Sequence, residues 1–170
     1  MQTIGVAIAI PEPWGTTLQD YRTDLGDATA TMIPTHITLV PPTALPDDRA
    51  VAEVEEHLAR VGAEHRSFRV HLRGTGTFRP VSPVVFVAVA EGIAHCEQLA
   101  RDARTGPLAV ELAFPYHPHV TVAHELSDDL LDRAFAELAD FECVFEATAF
   151  HLYHHGEGEG WVPKRAFSLG

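Results

Sequence analysis

Two short apolar segments of the chain carry the same polar pattern, a histidine followed two positions later by a threonine. The first is THITLV at residues 35–40, and the second is HPHVTVAH at residues 117–124, roughly half the chain further on. The β-branched and aliphatic residues around each pair predict a strand. A chain that repeats such a strand at this separation is expected to fold as two related halves.

Alternation along a strand determines where these side chains point. Residues two positions apart lie on the same face, about 6.6 to 6.8 Å from each other. His36 and Thr38 therefore share one face while their aliphatic neighbours take the other, and His119 and Thr121 do the same. If a pseudo-twofold axis relates the halves, the two strands become neighbours and both imidazoles face one groove.

The remaining patterns predict an α+β protein. Turn residues and apolar periodicity predict strands over 3–10, 35–40, 67–78, 83–90, 117–124, 143–153 and 161–169, and helices over 14–27, 47–62, 94–104 and 127–141. We expect Pro41 and Pro42 to end the second strand, Gly62 to end the second helix, and 154–160 to be a hairpin turn. The uniform strand–helix rhythm and Gly-rich loops of a doubly wound nucleotide fold are absent, which favours mainly antiparallel sheets.

Composition limits the class of protein and its partners. A chain of 170 residues with 46% apolar residues predicts one domain, 1–170, made of two pseudo-symmetric lobes. The formal charge of −12 argues against binding of duplex nucleic acid. The sequence shows no export signal and no run of about 18 apolar residues, so we expect a cytoplasmic protein that does not bind membranes. We also expect a monomer.

The repeated residues suit chemistry at phosphorus without a metal. A neutral imidazole can take a proton from an attacking water, and a protonated one can give a proton to the leaving oxygen; a pKa near 6.5 allows both forms near neutrality. Threonine hydroxyls can donate hydrogen bonds to the phosphate oxygens and stabilise the transition state. One such strand alone would lack the opposite acid or base.

With these motifs the chain resembles the 2H phosphoesterase superfamily, especially its 2′-5′ RNA ligase-like branch. The segments HIT (36–38) and HVT (119–121), the LVPP after the first, and the closing GWVPKRAFSLG are similar to that family over essentially the whole chain. The resemblance implies a bilobal α+β fold in which two mainly antiparallel sheets form a central cleft, with the helices outside.

The resemblance also implies an activity and its residues. It implies metal-independent hydrolysis of a 2′,3′-cyclic phosphate or a related 2′-5′ phosphodiester, on a small nucleotide or an RNA terminus. His36 and His119 would be the acid and the base, in an order that the sequence leaves open, and Thr38 and Thr121 would bind the phosphate. No cofactor and no metal is expected.

Further residues are candidates for contact with substrate. Relatives often place an aromatic side chain near the cleft, and Phe78 is the candidate to stack on a base, with simple core packing as its alternative. Tyr116 and His124 are the other candidates. Many relatives carry a basic residue where this chain has His124, and Pro41 stands at the equivalent place in the first motif, a departure that argues against tight phosphate anchoring and RNA ligation.

Three alternatives to a two-histidine enzyme remain open on the sequence. The strands could carry surface histidines by coincidence. The protein could bind nucleotides or RNA ends without turnover. It could also be a metal-dependent hydrolase using histidines such as those of HHGEGEG (154–160), although a Gly-rich acidic turn gives little rigid geometry for metal ligands.

Overall fold

The computed structural model describes residues 1–170 and contains eight strands and four α-helices. The strands are β1 (Gln2–Ala9), β2 (His36–Leu45), β3 (Phe68–Thr77), β4 (Val84–Glu91), β5 (His119–His124), β6 (Glu142–Ala147), β7 (Ala149–Gly156) and β8 (Gly160–Ser168). The helices are α1 (Trp14–Leu25), α2 (Asp48–Glu64), α3 (Ile93–Ala103) and α4 (Asp128–Glu137).

The strands form two antiparallel four-stranded sheets. One has the order β2-β1-β7-β8 and is called here the His36 sheet; the other has the order β5-β4-β3-β6 and is called the His119 sheet. The units β1-α1-β2-α2 and β4-α3-β5-α4 correspond in order, and β2 and β5 are the equivalent edge strands. The predicted bilobal α+β fold is therefore confirmed.

The helices pack on the sheet faces that carry the aliphatic side chains. In β1, Ile4, Val6 and Ile8 are at most 1% exposed and form this core face. Helix α2 covers the corresponding face of β7 and β8, where a Cβ added at Gly62 would lie 2.7 Å from the Ser168 carbonyl oxygen. Gly62 lies inside the helix, which continues to Glu64, so the prediction that Gly62 ends it is wrong; the glycine instead permits close packing.

Two strand predictions also need correction. Strand β2 continues through Pro41 and Pro42 to Leu45. It can do so because β2 is an edge strand and both prolines fall in a register shift, between the pairs Thr43–Ile4 and Val40–Val6, where neither proline has a ladder partner. The single strand predicted over 143–153 is two strands, β6 and β7, which separate at Thr148 and belong to different sheets.

Contacts between the two lobes join them into one body. A single cluster of buried apolar residues extends through both sheets. Helix α1 contacts β5 of the opposite lobe and α3 contacts β2, so each lobe supports the edge strand of the other. The Tyr21 hydroxyl on α1 donates to Glu137 Oε1 on α4, at 2.8 Å. None of the four helices combines the length and apolar character that a bilayer crossing requires.

Candidate active site

The two repeated motifs meet where the sheets adjoin. Strands β2 and β5 are edge strands of different sheets and contact each other without pairing. Within the sheets, Thr38 lies opposite Ala7 of β1, and Thr121 lies opposite Phe86 of β4. Side chains opposite each other project from the same face. Each motif therefore projects from the face opposite its buried aliphatic residues.

His36 has a defined tautomer. Its Nδ1 lies 2.6 Å from the Pro34 carbonyl oxygen. Because a carbonyl oxygen only accepts hydrogen bonds, Nδ1 carries the proton and donates it. In the neutral ring Nε2 is then the atom with a free lone pair, and it is the atom available for proton exchange.

His119 repeats this arrangement on the other sheet. Its Nδ1 lies 2.7 Å from the carbonyl oxygen of His117, again two residues earlier in the chain. The same donation to a carbonyl leaves Nε2 unprotonated in the neutral ring. The two imidazoles are therefore anchored in the same way, each by the segment that leads into its own strand.

Their environment favours the neutral form of both rings. Burial lowers the pKa of His36, and the positive charge of Arg22 lowers it further, against the opposing effect of the bond to Pro34. Burial also lowers the pKa of His119, and positive charge on His117 and on His36 adds to this lowering, against the bond to the His117 carbonyl. The two histidines are thus close enough for the charge of one to disfavour protonation of the other.

Tyr116, a predicted substrate contact, links the two motifs. Its hydroxyl donates to the Thr38 carbonyl oxygen at 2.6 Å, across the lobe boundary. The Arg104 guanidinium lies over its ring, 5.2 Å from the centroid. Burial raises the pKa of the hydroxyl. The structure therefore places Tyr116 as a support for the backbone of β2, with its hydroxyl already engaged.

Phe78, the predicted stacking residue, packs against the second motif. Its ring stands nearly perpendicular to that of His119, with centroids 4.9 Å apart, and is 4.7 Å from the ring of Phe86. His117 borders the same cluster, 5.5 Å from Phe78. The half-buried Phe78 therefore contacts the imidazole directly and restrains its orientation.

The other histidines singled out in the sequence lie apart from this arrangement. His124 ends β5 as an exposed residue, with Nε2 3.8 Å from Glu125 Oε1. His154 and His155 are consecutive in β7, so they point to opposite faces. The structure contains no group of three or more His, Cys, Asp or Glu side chains arranged to hold a metal ion.

Sequence reasoning missed a groove beside the first motif. Its floor is formed by Gly5 and Ala7 of β1, and its far wall by Tyr153 of β7 and Trp161 of β8. The signal was present in GVAIA (5–9), where small residues alternate with large aliphatic ones. The alternation by itself predicts only a strand, because the open face also depends on where Tyr153 and Trp161 lie in the same sheet.

The chain matches known proteins over most of its length. The sequence model of the 2′-5′ RNA ligase superfamily matches residues 10–159. A Bacillus cytotoxicus protein with a provisional phosphoesterase name is 31% identical over 143 residues, which cover 82% of this chain and 81% of that protein.

Solved structures share the fold. TT0787 of Thermus thermophilus superposes with a TM-score of 0.72 at 20% identity, covering 99% of this chain and 98% of that one. LigT of Escherichia coli, in a complex with 3′-AMP, gives a TM-score of 0.69 at 19% identity, covering 99% and 98%. The family match spans well over half of the chain, so this protein belongs to the 2′-5′ RNA ligase superfamily and is a phosphoesterase of the 2H type.

Proposed function

We propose that the protein is a metal-independent phosphoesterase that hydrolyses a 2′,3′-cyclic phosphate, or a related cyclic or 2′-5′ phosphodiester, of a small nucleotide or RNA end. The observation that carries the proposal is the matched pair of imidazoles. Each is anchored through Nδ1 to a carbonyl two residues earlier, and each stands on an edge strand of a different sheet.

The reaction uses the two Nε2 atoms in opposite protonation states. A water oxygen attacks phosphorus and loses its proton to the unprotonated Nε2 of one histidine. The bond from phosphorus to one ribose oxygen breaks, and that oxygen takes a proton from the protonated Nε2 of the other histidine. The product carries one new P–O bond and one free hydroxyl, and the two rings have exchanged protonation states.

Thr38 and Thr121 stabilise the negative charge that develops on the non-bridging phosphate oxygens. Each lies two positions after its histidine on the same strand face, so each hydroxyl stands beside an imidazole. Donors aimed at the non-bridging oxygens act mainly in the transition state, where the negative charge on those oxygens is greatest.

The lowered pKa values of both histidines fit a site that is completed by its substrate. Without a ligand, burial lowers the pKa of both rings and so favours their neutral form. A bound phosphate anion favours the protonated form of a nearby ring. Once one ring is protonated, its positive charge disfavours protonation of the other ring. Substrate binding thus promotes the one-proton state that the reaction requires.

Known complexes of the structural neighbour point to the class of ligand. E. coli LigT has been crystallised with 3′-AMP and with NADP+. By analogy, we propose that the ligand of this protein is a small nucleotide or a nucleotide at the end of an RNA.

A phosphorus NMR assay tests the proposal. The protein, treated with excess EDTA, is incubated with a panel of nucleoside 2′,3′-cyclic phosphates and 2′-5′ dinucleotides, and the spectrum reports which oxygen retains the phosphate. We expect turnover in wild type and in His124→Ala, the matched histidine control, and about 10²-fold or greater loss in His119→Ala.

Two other outcomes would contradict the proposal. Binding without turnover of any substrate would favour a nucleotide-binding protein. Turnover that disappears in EDTA and returns on addition of a divalent metal would favour a metal-dependent hydrolase.

A further inference from the structure

The cleft is filled beside one motif and open beside the other. The strand next to each motif places one residue opposite the threonine. In the His119 sheet it is Phe86, opposite Thr121, and in the His36 sheet it is Ala7, opposite Thr38. The pseudo-symmetric halves therefore differ by an entire aromatic ring at equivalent positions.

In the third strand of each sheet the sizes are reversed, so that the small residue is in the His119 sheet and the large one is in the His36 sheet. Gly76 of β3 lies opposite Phe86, and a Cβ there would approach the Phe86 ring to 2.5 Å, so the ring occupies the space over the glycine. In the other sheet, His151 of β7 lies opposite Ala7. The ring of Phe86, with Phe78 packed against it, fills the space on the sheet face beside Thr121. Gly5 and Ala7 leave the corresponding space beside Thr38 open.

The open space beside Thr38 is the groove that borders the first motif. The groove is open to solvent, and its lining includes His36 and Thr38 on one wall and Tyr153 and Trp161 on the other. A groove lined mainly by apolar and aromatic side chains, with few polar groups, is typical of a small-molecule site. Its position makes it continuous with the proposed phosphate site.

Trp161 is held in place at the far wall. Its six-membered ring lies against Gly5, where an added Cβ would be 3.3 Å from the nearest ring atom. The His155 ring is inclined at 58° to the indole, with centroids 4.9 Å apart. The half-buried indole is therefore braced on two sides and still borders the groove.

The chemistry of the lining identifies the occupant. No Asp, Glu, Lys or Arg lines the groove. A group that fits here is uncharged, has an apolar face and is attached to a phosphate held at Thr38. A nucleobase meets all three requirements, because every base has a π-face that can stack on an aromatic side chain.

We infer that this groove binds the nucleobase of the substrate, with Trp161 as its stacking platform. The inference rests on the proposed function for the location of the phosphate. It places the nucleoside on the His36 side of the cleft and gives Trp161 the stacking role that the sequence suggested for Phe78. Because stacking tolerates any base, the groove selects nucleosides over smaller phosphates rather than one base over another.

Tryptophan fluorescence tests the inference directly. The chain has two tryptophans, Trp14 on α1 and Trp161 in the groove, so Trp14→Phe leaves Trp161 as the only one. In this variant we expect 3′-AMP to change the fluorescence saturably and inorganic phosphate to leave it unchanged. Binding of 3′-AMP detected by calorimetry without any change in Trp161 emission would overturn the inference.

Affinity measurements on groove variants provide the second test. Trp161→Ala should weaken 3′-AMP binding by about 5- to 150-fold, the range expected for one stacked base, and leave phosphate binding unchanged. Trp161→Leu keeps apolar bulk without an aromatic face and should also weaken 3′-AMP, which guards against misfolding of the alanine variant. Trp14→Phe is the matched control and should bind as wild type does.

The outcomes separate this inference from the proposed function. A protein that binds 3′-AMP through Trp161 but hydrolyses no cyclic phosphate would contradict the function and support the groove. Equal affinity for 3′-AMP in wild type and in both Trp161 variants would overturn the groove, whatever the turnover. Tighter binding of hexyl phosphate than of 3′-AMP would also overturn it, in favour of an aliphatic occupant.

Discussion

His36 and His119 are held by the same local hydrogen bond but lie in different surroundings. Both donate Nδ1–H to a carbonyl two residues earlier. His119 also contacts the ring of Phe78, whereas His36 borders an open groove. The sequence predicts the similar placement of the two histidines, because a repeated His-x-Thr strand implies a repeated geometry. It does not predict the different surroundings of the two rings, because these depend on residues of neighbouring strands.

The threonine hydroxyls can be tested one at a time. Thr38→Val and Thr121→Val keep the branched shape and remove a donor, so each should lower kcat by about 10²- to 10³-fold if the hydroxyl bonds the phosphate in the transition state. Thr43→Val is the matched control in β2, because the Thr43 hydroxyl bonds the Pro41 carbonyl instead. Steady-state kinetics on a cyclic nucleotide give the values; unchanged kcat in both motif variants would exclude the role.

The pH dependence should differ between kcat/KM and kcat. Burial lowers the pKa of both histidines in the free enzyme, so the bell-shaped profile of kcat/KM should have its maximum below pH 6.5. In the enzyme–substrate complex the bound phosphate raises the pKa values of both histidines, so the kcat profile should be displaced to higher pH. Coincident profiles, or a rate that only rises with pH, would contradict this expectation.

Secondary structure elements were predicted well where the signal is local. Helix α1 ends at Leu25 and is followed by Gly26 with φ 118°, and the Asp47 side chain caps α2 by accepting from the Ala50 N–H; Gly and Asp are residue types favoured at these two positions. The single strand predicted over 143–153 overlooks a change of phase at Thr148, where the inward apolar positions move from Cys143 and Ala147 to Phe150 and Leu152. No Pro or Gly marks this point, and the change of sheet that accompanies it is a tertiary feature.

The turn after α1 depends on a buried ion pair. Arg22 Nη2 lies 2.8 Å from Asp27 Oδ2, and the two side chains are 6% and 8% exposed. Burial by itself would raise the pKa of Asp27, but hydrogen bonds from Thr29 and Arg22 outweigh it and lower the pKa. Removing one partner of a buried pair leaves the other charge without compensation.

Replacement of Asp27 should therefore destabilise the protein strongly. We expect Asp27→Asn to lower the free energy of unfolding by about 3 to 5 kcal/mol, measured by urea denaturation. Arg49→Gln, which breaks the exposed pair with Glu53, should change it by about 0.5 kcal/mol or less. Similar small effects in both variants would show that the buried pair does not stabilise the turn.

The stability of the whole molecule should fall in mild acid. Burial lowers the pKa of His36, His119 and His151 in the folded protein. The unfolded chain, with histidines near pH 6.5, then binds more protons than the folded one, so the free energy of unfolding decreases as pH falls below about 6.5. Asp27 and Glu137, whose pKa values are lowered, contribute only at more acidic pH.

Urea unfolding between pH 7.5 and 5.5 measures this effect. The double variant His36→Asn, His119→Asn should show a shallower decline than wild type, because two of the three groups no longer titrate. A wild-type stability that stays constant or rises toward pH 5.5 would contradict the argument from burial.

The lobes meet so that each contributes one histidine, and a double-mutant cycle tests this most directly. With a 2′,3′-cyclic nucleotide as substrate in EDTA, His36→Ala and His119→Ala should each reduce kcat by about 10²- to 10⁴-fold. The double variant should lose far less than the product, because residues that act in one transition state are not additive. Near wild-type turnover in either single variant, or losses that multiply fully, would contradict the account of two histidines acting as a pair.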